Sequence, residues 1–136
     1  MELPEVVVLD THIWAWWVSE PSRLSRRARK TIDAAAGTSR LFLSSISVWE
    51  ISLLVARDRL KLKMDVEDWI ARSEALPFLH FVPVDNHIAM RANRLPEPLH
   101  PDPADRIIIA TTLILGGVLV TKDQKIRDYS HIKTVW

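Results

Sequence analysis

Glu5 to Val18 reads EVVVLDTHIWAWWV, and the change of period inside it decides the architecture. Val6, Val7, Val8 and Leu9 make a short β-branched run, so a strand is expected over Glu5–Leu9, closed by Asp10. From Thr11 to Val18 the spacing turns helical, with Ile13, Trp14, Trp17 and Val18 on one apolar stripe. Strand followed at once by helix is the first unit of an alternating chain.

The same alternation continues outward. A helix is expected over Ser22–Ala36, with Ser22 as its cap, Gly37 as its stop and Arg23, Arg26, Arg27, Arg29 and Lys30 outside. Leu41–Leu43 reads as a strand, Ser47–Leu60 as a long helix, and Val66–Glu74 as a shorter one carrying Trp69 and Ile70. Phe81–Val84 is expected as a strand and Asn86–Arg94 as a helix. Leu95–Pro103 is rich in proline and must run over the surface, because proline cannot join a sheet interior. A helix over Ala104–Leu115, a strand over Val118–Val120, a short helix over Lys122–Asp128 and a strand over Lys133–Val135 complete the pattern. Such a chain predicts an α/β fold of three layers, a mainly parallel central sheet flanked by helices, with sites just beyond the carboxyl ends of the strands. There is no internal repeat, linker or low-complexity segment, so residues 1–136 are expected to form a single domain.

A length of 136 residues with 48% hydrophobic content suffices for one core. The absence of cysteine excludes disulfides, thiolate metal sites and cysteine nucleophiles, and suits a reducing cytoplasm. Any metal must be held by oxygen or imidazole. Met1 to Glu5 carries two acids and a proline, unlike the basic start of a secretory signal. The longest apolar region, Ile107–Val120, is broken by Thr111, Thr112, Gly116 and Gly117 and is short for a bilayer span, so no membrane association is expected. The net charge of +1 is uninformative in bulk. With four acids sequestered in a site, however, 18 bases face 13 acids, a balance of +5 elsewhere that would attract phosphate.

Four acids lie in apolar settings: Asp10 in VVVLDTHIW, Glu50 in ISVWEISLL, Asp105 in PADRIIIA and Asp123 in VLVTKDQ. Three follow an expected strand and the fourth opens a helix, so a parallel fold can bring all four to one sheet edge. Carboxylates brought that close raise one another's pKa unless a cation offsets them, and an oxygen-only set suits Mg²⁺ or Mn²⁺. Each acid also has a purely structural reading. Asp10 is placed to cap the helix after it, Ser47 with Glu50 and Thr121 with Gln124 fit capping boxes, and Asp102-Pro103-Ala104-Asp105 fits a cap, a first-turn proline and an acid favoured by the helix dipole.

The segments LDTHIWAWW, LSSISVWEISLLVARDRLKL and HPDPADRIIIATTLILGGVLVTKD, with the closing strand, resemble the successive motifs of PIN domains. They are especially similar to the VapC-like toxins of toxin-antitoxin pairs. The likeness spans nearly the whole chain in the expected order. It implies a PIN-like nuclease domain with Asp10, Glu50, Asp105 and Asp123 as the catalytic acids and Thr11 and Thr121 in the supporting hydroxyl positions. Ala104 stands where this subgroup often has phenylalanine, which touches local packing only. The implied activity is metal-dependent endoribonuclease cleavage of RNA phosphodiesters, leaving 5′-phosphate and 3′-hydroxyl ends. Asp10 and Asp105 are implied as principal ligands of Mg²⁺ or Mn²⁺, with Glu50 and Asp123 ligating or orienting water. The resemblance also implies an antitoxin partner and a homodimer.

Other residues carry weaker signals. His12 is within a turn of Asp10, and His80, His87, His100 and His131 lack metal-ligand spacing, so none is assigned. The basic run of Arg23, Arg26, Arg27 and Lys30 is a candidate for RNA contact, and Arg57, Arg59, Lys61 and Lys63 form a second cluster. Trp14, Trp17, Trp49 and Trp69 are expected in the core, with Trp16 off the main stripe and available to a partner.

Competing classes fare worse. A covalent phosphotransfer role for Asp10 would want an aspartate two residues on, where His12 stands, or an acidic pair near the first strand, where Leu9 precedes Asp10. The three glycines form no phosphate-binding loop. The alternative kept is a non-catalytic PIN-fold module binding RNA or protein.

Overall fold

The computed structural model describes residues 5–136. Its sheet comprises β1 (Val7–Leu9), β2 (Leu41–Ser44), β3 (Leu79–Val82), β4 (Val118–Val120) and β5 (Thr134–Val135), ordered β3-β2-β1-β4-β5 with every neighbouring pair parallel. The reading of residues 1–4 as unlike a signal segment lies outside the described residues.

The helices are α1 (Thr11–Ser19), α2 (Arg26–Gly37), α3 (Ile46–Ala56), α4 (Val66–Glu74), α5 (Asn86–Asn93), α6 (Pro103–Leu115) and α7 (Gln124–Arg127). The central strands β1 and β4 are buried on both faces, and the sheet separates two cores, because strand side chains alternate. Val7, Leu9, Val118 and Val120 pack with Ile13, Trp14, Ile32, Ile51 and Trp69. Val8 and Leu119 turn the other way, onto Ile88, Ile108, Ile109 and Ile126. These are the three layers that the alternation predicts.

The chain proceeds from β1 outward to β2 and β3, then returns to place β4 on the free side of β1. The gap between β1 and β4 is therefore the switch point of the sheet, where crevices open beyond the strand ends in such folds. Two glycines allow the return. Gly116 ends α6 at φ 67°, in the left-handed region. A Cβ on Gly117 would stand 2.6 Å from the Val6 carbonyl oxygen, so only glycine lets Val118 N–H reach that oxygen at 2.9 Å.

Several boundaries differ from expectation. Pro21 opens a 3-10 turn over Pro21–Arg23, so α2 is capped by Ser25, whose hydroxyl accepts from Ala28 N–H at 3.0 Å, and Ser22 is not a cap. Gly37 is the last residue of α2 and not its stop, while Ser39 takes the left-handed backbone. Helix α3 starts at Ile46 and ends at Ala56, short of Leu60, with Asp58 at φ 55°. β3 ends at Val82, since Pro83 has no N–H to extend the ladder. On α1 the buried residues include Ile13, Trp14 and Ala15, whereas Val18 is exposed. Trp49 was expected in the core but is 57% exposed, because α3 turns Ile51 inward instead. Among the described residues no helix is long and apolar enough to cross a membrane.

Candidate active site

Strand β1 delivers Asp10 at its carboxyl end and β4 delivers Thr121 beside it. Asp10 N–H continues the ladder to Val120 O at 3.0 Å. Its carboxylate is buried between two donors: Thr11 N–H to Oδ1 at 2.9 Å and the Thr121 hydroxyl to Oδ2 at 2.7 Å. Burial raises its pKa, and Asp123 adds to the rise, while Thr121, Thr11 and His12 oppose it. Asp10 does cap α1, as its structural reading predicts.

Glu50 comes from the face of α3 that packs toward α1 and α6. The Ser47–Glu50 capping box does not form, because both residues lie inside α3 and Ser45 is the cap position. The Thr11 hydroxyl donates to Glu50 Oε1 at 2.5 Å, and since its one hydrogen is spent there, the Ser47 hydroxyl 2.8 Å away donates to Thr11. Burial pushes the Glu50 carboxyl up to about 7, the Thr11 bond lowers it, and Asp10, Asp105 and Asp102 raise it further.

Asp105 sits in the first turn of α6. Asp102 caps that helix, its Oδ1 accepting from Asp105 N–H at 3.0 Å. Asp105 Oδ2 lies 2.8 Å from His100 Nε2. Burial lifts Asp105 to about 6, with the His100 bond lowering it and Asp10 and Asp102 raising it. The loop that carries His100 is held by Arg106, which donates to Glu97 Oε1 at 2.9 Å and to the carbonyls of Leu99, His100 and Ala92.

Asp123 is the exposed member. Its Oδ1 caps α7 by accepting from Lys125 N–H at 2.9 Å, and its own N–H donates to the Thr121 hydroxyl at 3.1 Å. The expected Thr121–Gln124 capping box is absent, for Gln124 turns to Asp128 instead. Asp10, Glu50, Asp102, Asp105 and Asp123 nonetheless line one cavity of about 480 Å³, together with Thr11, His12, Ile13, Trp16 and Lys122. The four sequence-predicted acids meet in it.

Among the described residues no three Asp, Glu or His side chains are disposed to hold one metal ion as they stand. The reason is visible in the bonds: each buried carboxylate is turned onto a protein donor, Asp10 onto Thr11 and Thr121, Glu50 onto Thr11, Asp105 onto His100. The donor chemistry still fits a hard divalent cation. Burial and mutual repulsion raise three oxygen-bearing groups together, a charge excess that such an ion offsets.

The basic run divides. Arg23 reaches the rim of the cavity, its guanidinium 5.4 Å from the Trp16 ring centroid. Arg26 and Arg27 are exposed on α2. Lys30 lines a separate cleft with Glu5, Val7 and Thr38, at the opposite end of β1 from Asp10. His100, Arg106 and Lys122 carry no functional signal in the sequence, and Ser47, which reads there as half of a capping box, instead bonds Thr11. His100 precedes Asp105 by five residues, but that spacing crosses a loop and a helix start and carries no periodic signal.

An all-parallel three-layer domain with a carboxylate-lined crevice at its switch point defines the class. The PIN domain matches residues 7–132, and the chain belongs to the PIN-domain family. Ribonuclease VapC22 of Mycobacterium tuberculosis is 36% identical over 132 residues, covering 96% of this chain and 98% of the relative. Among solved structures, VapBC2 from Rickettsia felis, bound to a DNA fragment from their promoter, superposes with a TM-score of 0.69 at 15% identity, over 95% of this chain and 96% of that one. A toxin-antitoxin complex from Klebsiella pneumoniae gives 0.62 at 18% identity, over 96% of both chains. At those identities the two solved structures speak for the fold alone.

Proposed function

We propose that the chain is a metal-dependent endoribonuclease, the toxin of a toxin-antitoxin pair, acting in the cytoplasm. One observation carries the reading: Asp10, Glu50 and Asp105, all with raised pKa values, share one cavity with Asp123 at the switch point of the sheet. The relative that carries the name ribonuclease aligns over 96% of this chain, which supports RNA as the substrate. The two solved neighbours, one of them a toxin-antitoxin complex, support an antitoxin as partner. A homodimer follows from the same family.

Asp10 and Asp105 are the residues that would hold Mg²⁺ or Mn²⁺. Bound there, such an ion offsets phosphate charge and lowers the pKa of water. Glu50, with its carboxyl near neutrality, is suited to accept a proton from an attacking water and return it. Thr11 and Thr121 fix the carboxylates of Glu50 and Asp10, and His100 steadies that of Asp105. Asp123, exposed at the rim, is placed to orient water.

Purified chain without a partner is expected to cut single-stranded RNA in Mg²⁺ or Mn²⁺ and to stop in EDTA, leaving 5′-phosphate ends on sequencing. Folded protein that cuts no cellular RNA in either metal sinks the reading.

A further inference from the structure

Lys122 stands between Thr121, which bonds Asp10, and Asp123, and it lines the acid cavity. Coulomb attraction alone would draw its ammonium onto a carboxylate. Among the described residues it forms no ion pair. Its Nζ instead lies 5.7 Å from the ring centroid of Trp16 and 5.7 Å from that of Trp136, the two rings being 6.2 Å apart. The guanidinium of Arg23 lies over the same Trp16 ring at 5.4 Å. Two cations are thus held on indoles at the lip of the cavity by cation–π attraction, Arg23 also pairing with Glu20 at 3.4 Å.

That arrangement solves a problem the acids create. A polyanion entering the cavity meets Asp10, Glu50 and Asp105, and a side-chain cation kept off those acids offsets the repulsion at the rim. Half-buried indoles beside such cations also offer faces to unstacked bases, the pairing of features that single-stranded nucleic acid uses. We propose that Lys122, caged by Trp16 and Trp136, binds the backbone phosphate of single-stranded RNA next to the bond that is cut, with Arg23 extending the contact. The identity of the polyanion rests on the nuclease reading; the phosphate site itself rests on the cage.

The test is binding without cleavage. Wild type, Lys122→Gln and Lys122→Arg are titrated in EDTA with a short fluorescein-labelled single-stranded RNA at several salt concentrations. Lys122 is exposed, so the variants are expected to fold as wild type. Lys122→Gln should weaken binding about tenfold and lower the slope of log affinity against log salt by about 0.7, and Lys122→Arg should restore both. In Mg²⁺, Lys122→Gln should raise KM with kcat little changed. Equal affinity and slope for Lys122→Gln overturns the proposal, as does unchanged RNA binding with loss of a polyglutamate peptide, which would assign the cage to an acidic protein partner. RNA binding that depends on Lys122 without cleavage in any metal would sustain the phosphate site and sink the nuclease reading. Cleavage with an unchanged KM in Lys122→Gln would do the reverse.

Discussion

His100 Nε2 lies 2.8 Å from Asp105 Oδ2, so a residue of the proline-rich loop holds the acid that opens α6. The bond favours the charged carboxylate and opposes the rise to about 6 that burial imposes. Removing it leaves Asp105 protonated to a higher pH, and protons compete with metal for the same oxygens. His100→Ala is expected to lose more cleavage activity at pH 6 than at pH 8, with the loss at pH 6 partly recovered by excess Mg²⁺. Rate against pH at two Mg²⁺ concentrations checks this, and a loss equal at both pH values would show that His100 acts on something other than the Asp105 charge.

The metal-free protein should lose stability as pH rises. Glu50 and Asp105 have ordinary values of 4.5 and 3.8 and folded values of about 7 and about 6. Across that window the folded chain retains protons that the unfolded chain has released, so unfolding is favoured as pH increases. After allowance for solvent screening of partly exposed groups, the effect is on the order of 1–2 kcal/mol from pH 4 to above pH 7. Asp10 adds in the same direction. Mg²⁺ at about a hundred times its dissociation constant should return roughly 2.7 kcal/mol. Urea unfolding in EDTA at pH 5 and pH 7.5, then with Mg²⁺, measures both, and metal-free stability that climbed with pH would refute the burial argument.

Thr121 joins β4 to Asp10 across the switch point, and its side chain is fully buried. Valine there keeps the shape and removes the donor, leaving a buried carboxylate oxygen and the Asp123 N–H without their partner. Thr121→Val is expected to cost about 2 kcal/mol and to lower activity. Denaturant unfolding gives the first quantity, and a cost within experimental error would mean that Asp10 is held by Thr11 N–H alone.

Much of this was legible in the chain because apolar periodicity reports burial directly. The strand-to-helix switch at Asp10, the β-branched runs and the Gly116-Gly117 turn each follow from local sterics, and all four acids were found by their apolar neighbours. Features that depend on where a helix turns its face were not legible. Trp49 reads as core by composition, yet α3 presents Ile51 inward and leaves Trp49 in solvent. Ser22 reads as a cap until Pro21 forms a 3-10 turn and hands that task to Ser25. His100, Arg106 and Lys122 act through contacts that cross loops, and no spacing rule encodes those.

The most direct test of the central claim, that the carboxylate cavity cuts RNA through Asp105 while Asp102 serves the helix, is the cleavage rate of three proteins beside their unfolding free energies. In Mg²⁺, wild type is expected to cleave and Asp105→Asn to show no activity at near wild-type stability, the amide keeping the shape but discarding the ligand charge. Asp102→Ala removes the cap bond to Asp105 N–H, so it should lose about 1 kcal/mol yet retain substantial cleavage. An active Asp105→Asn with an inactive, stably folded Asp102→Ala would contradict the account and move the metal site to Asp102.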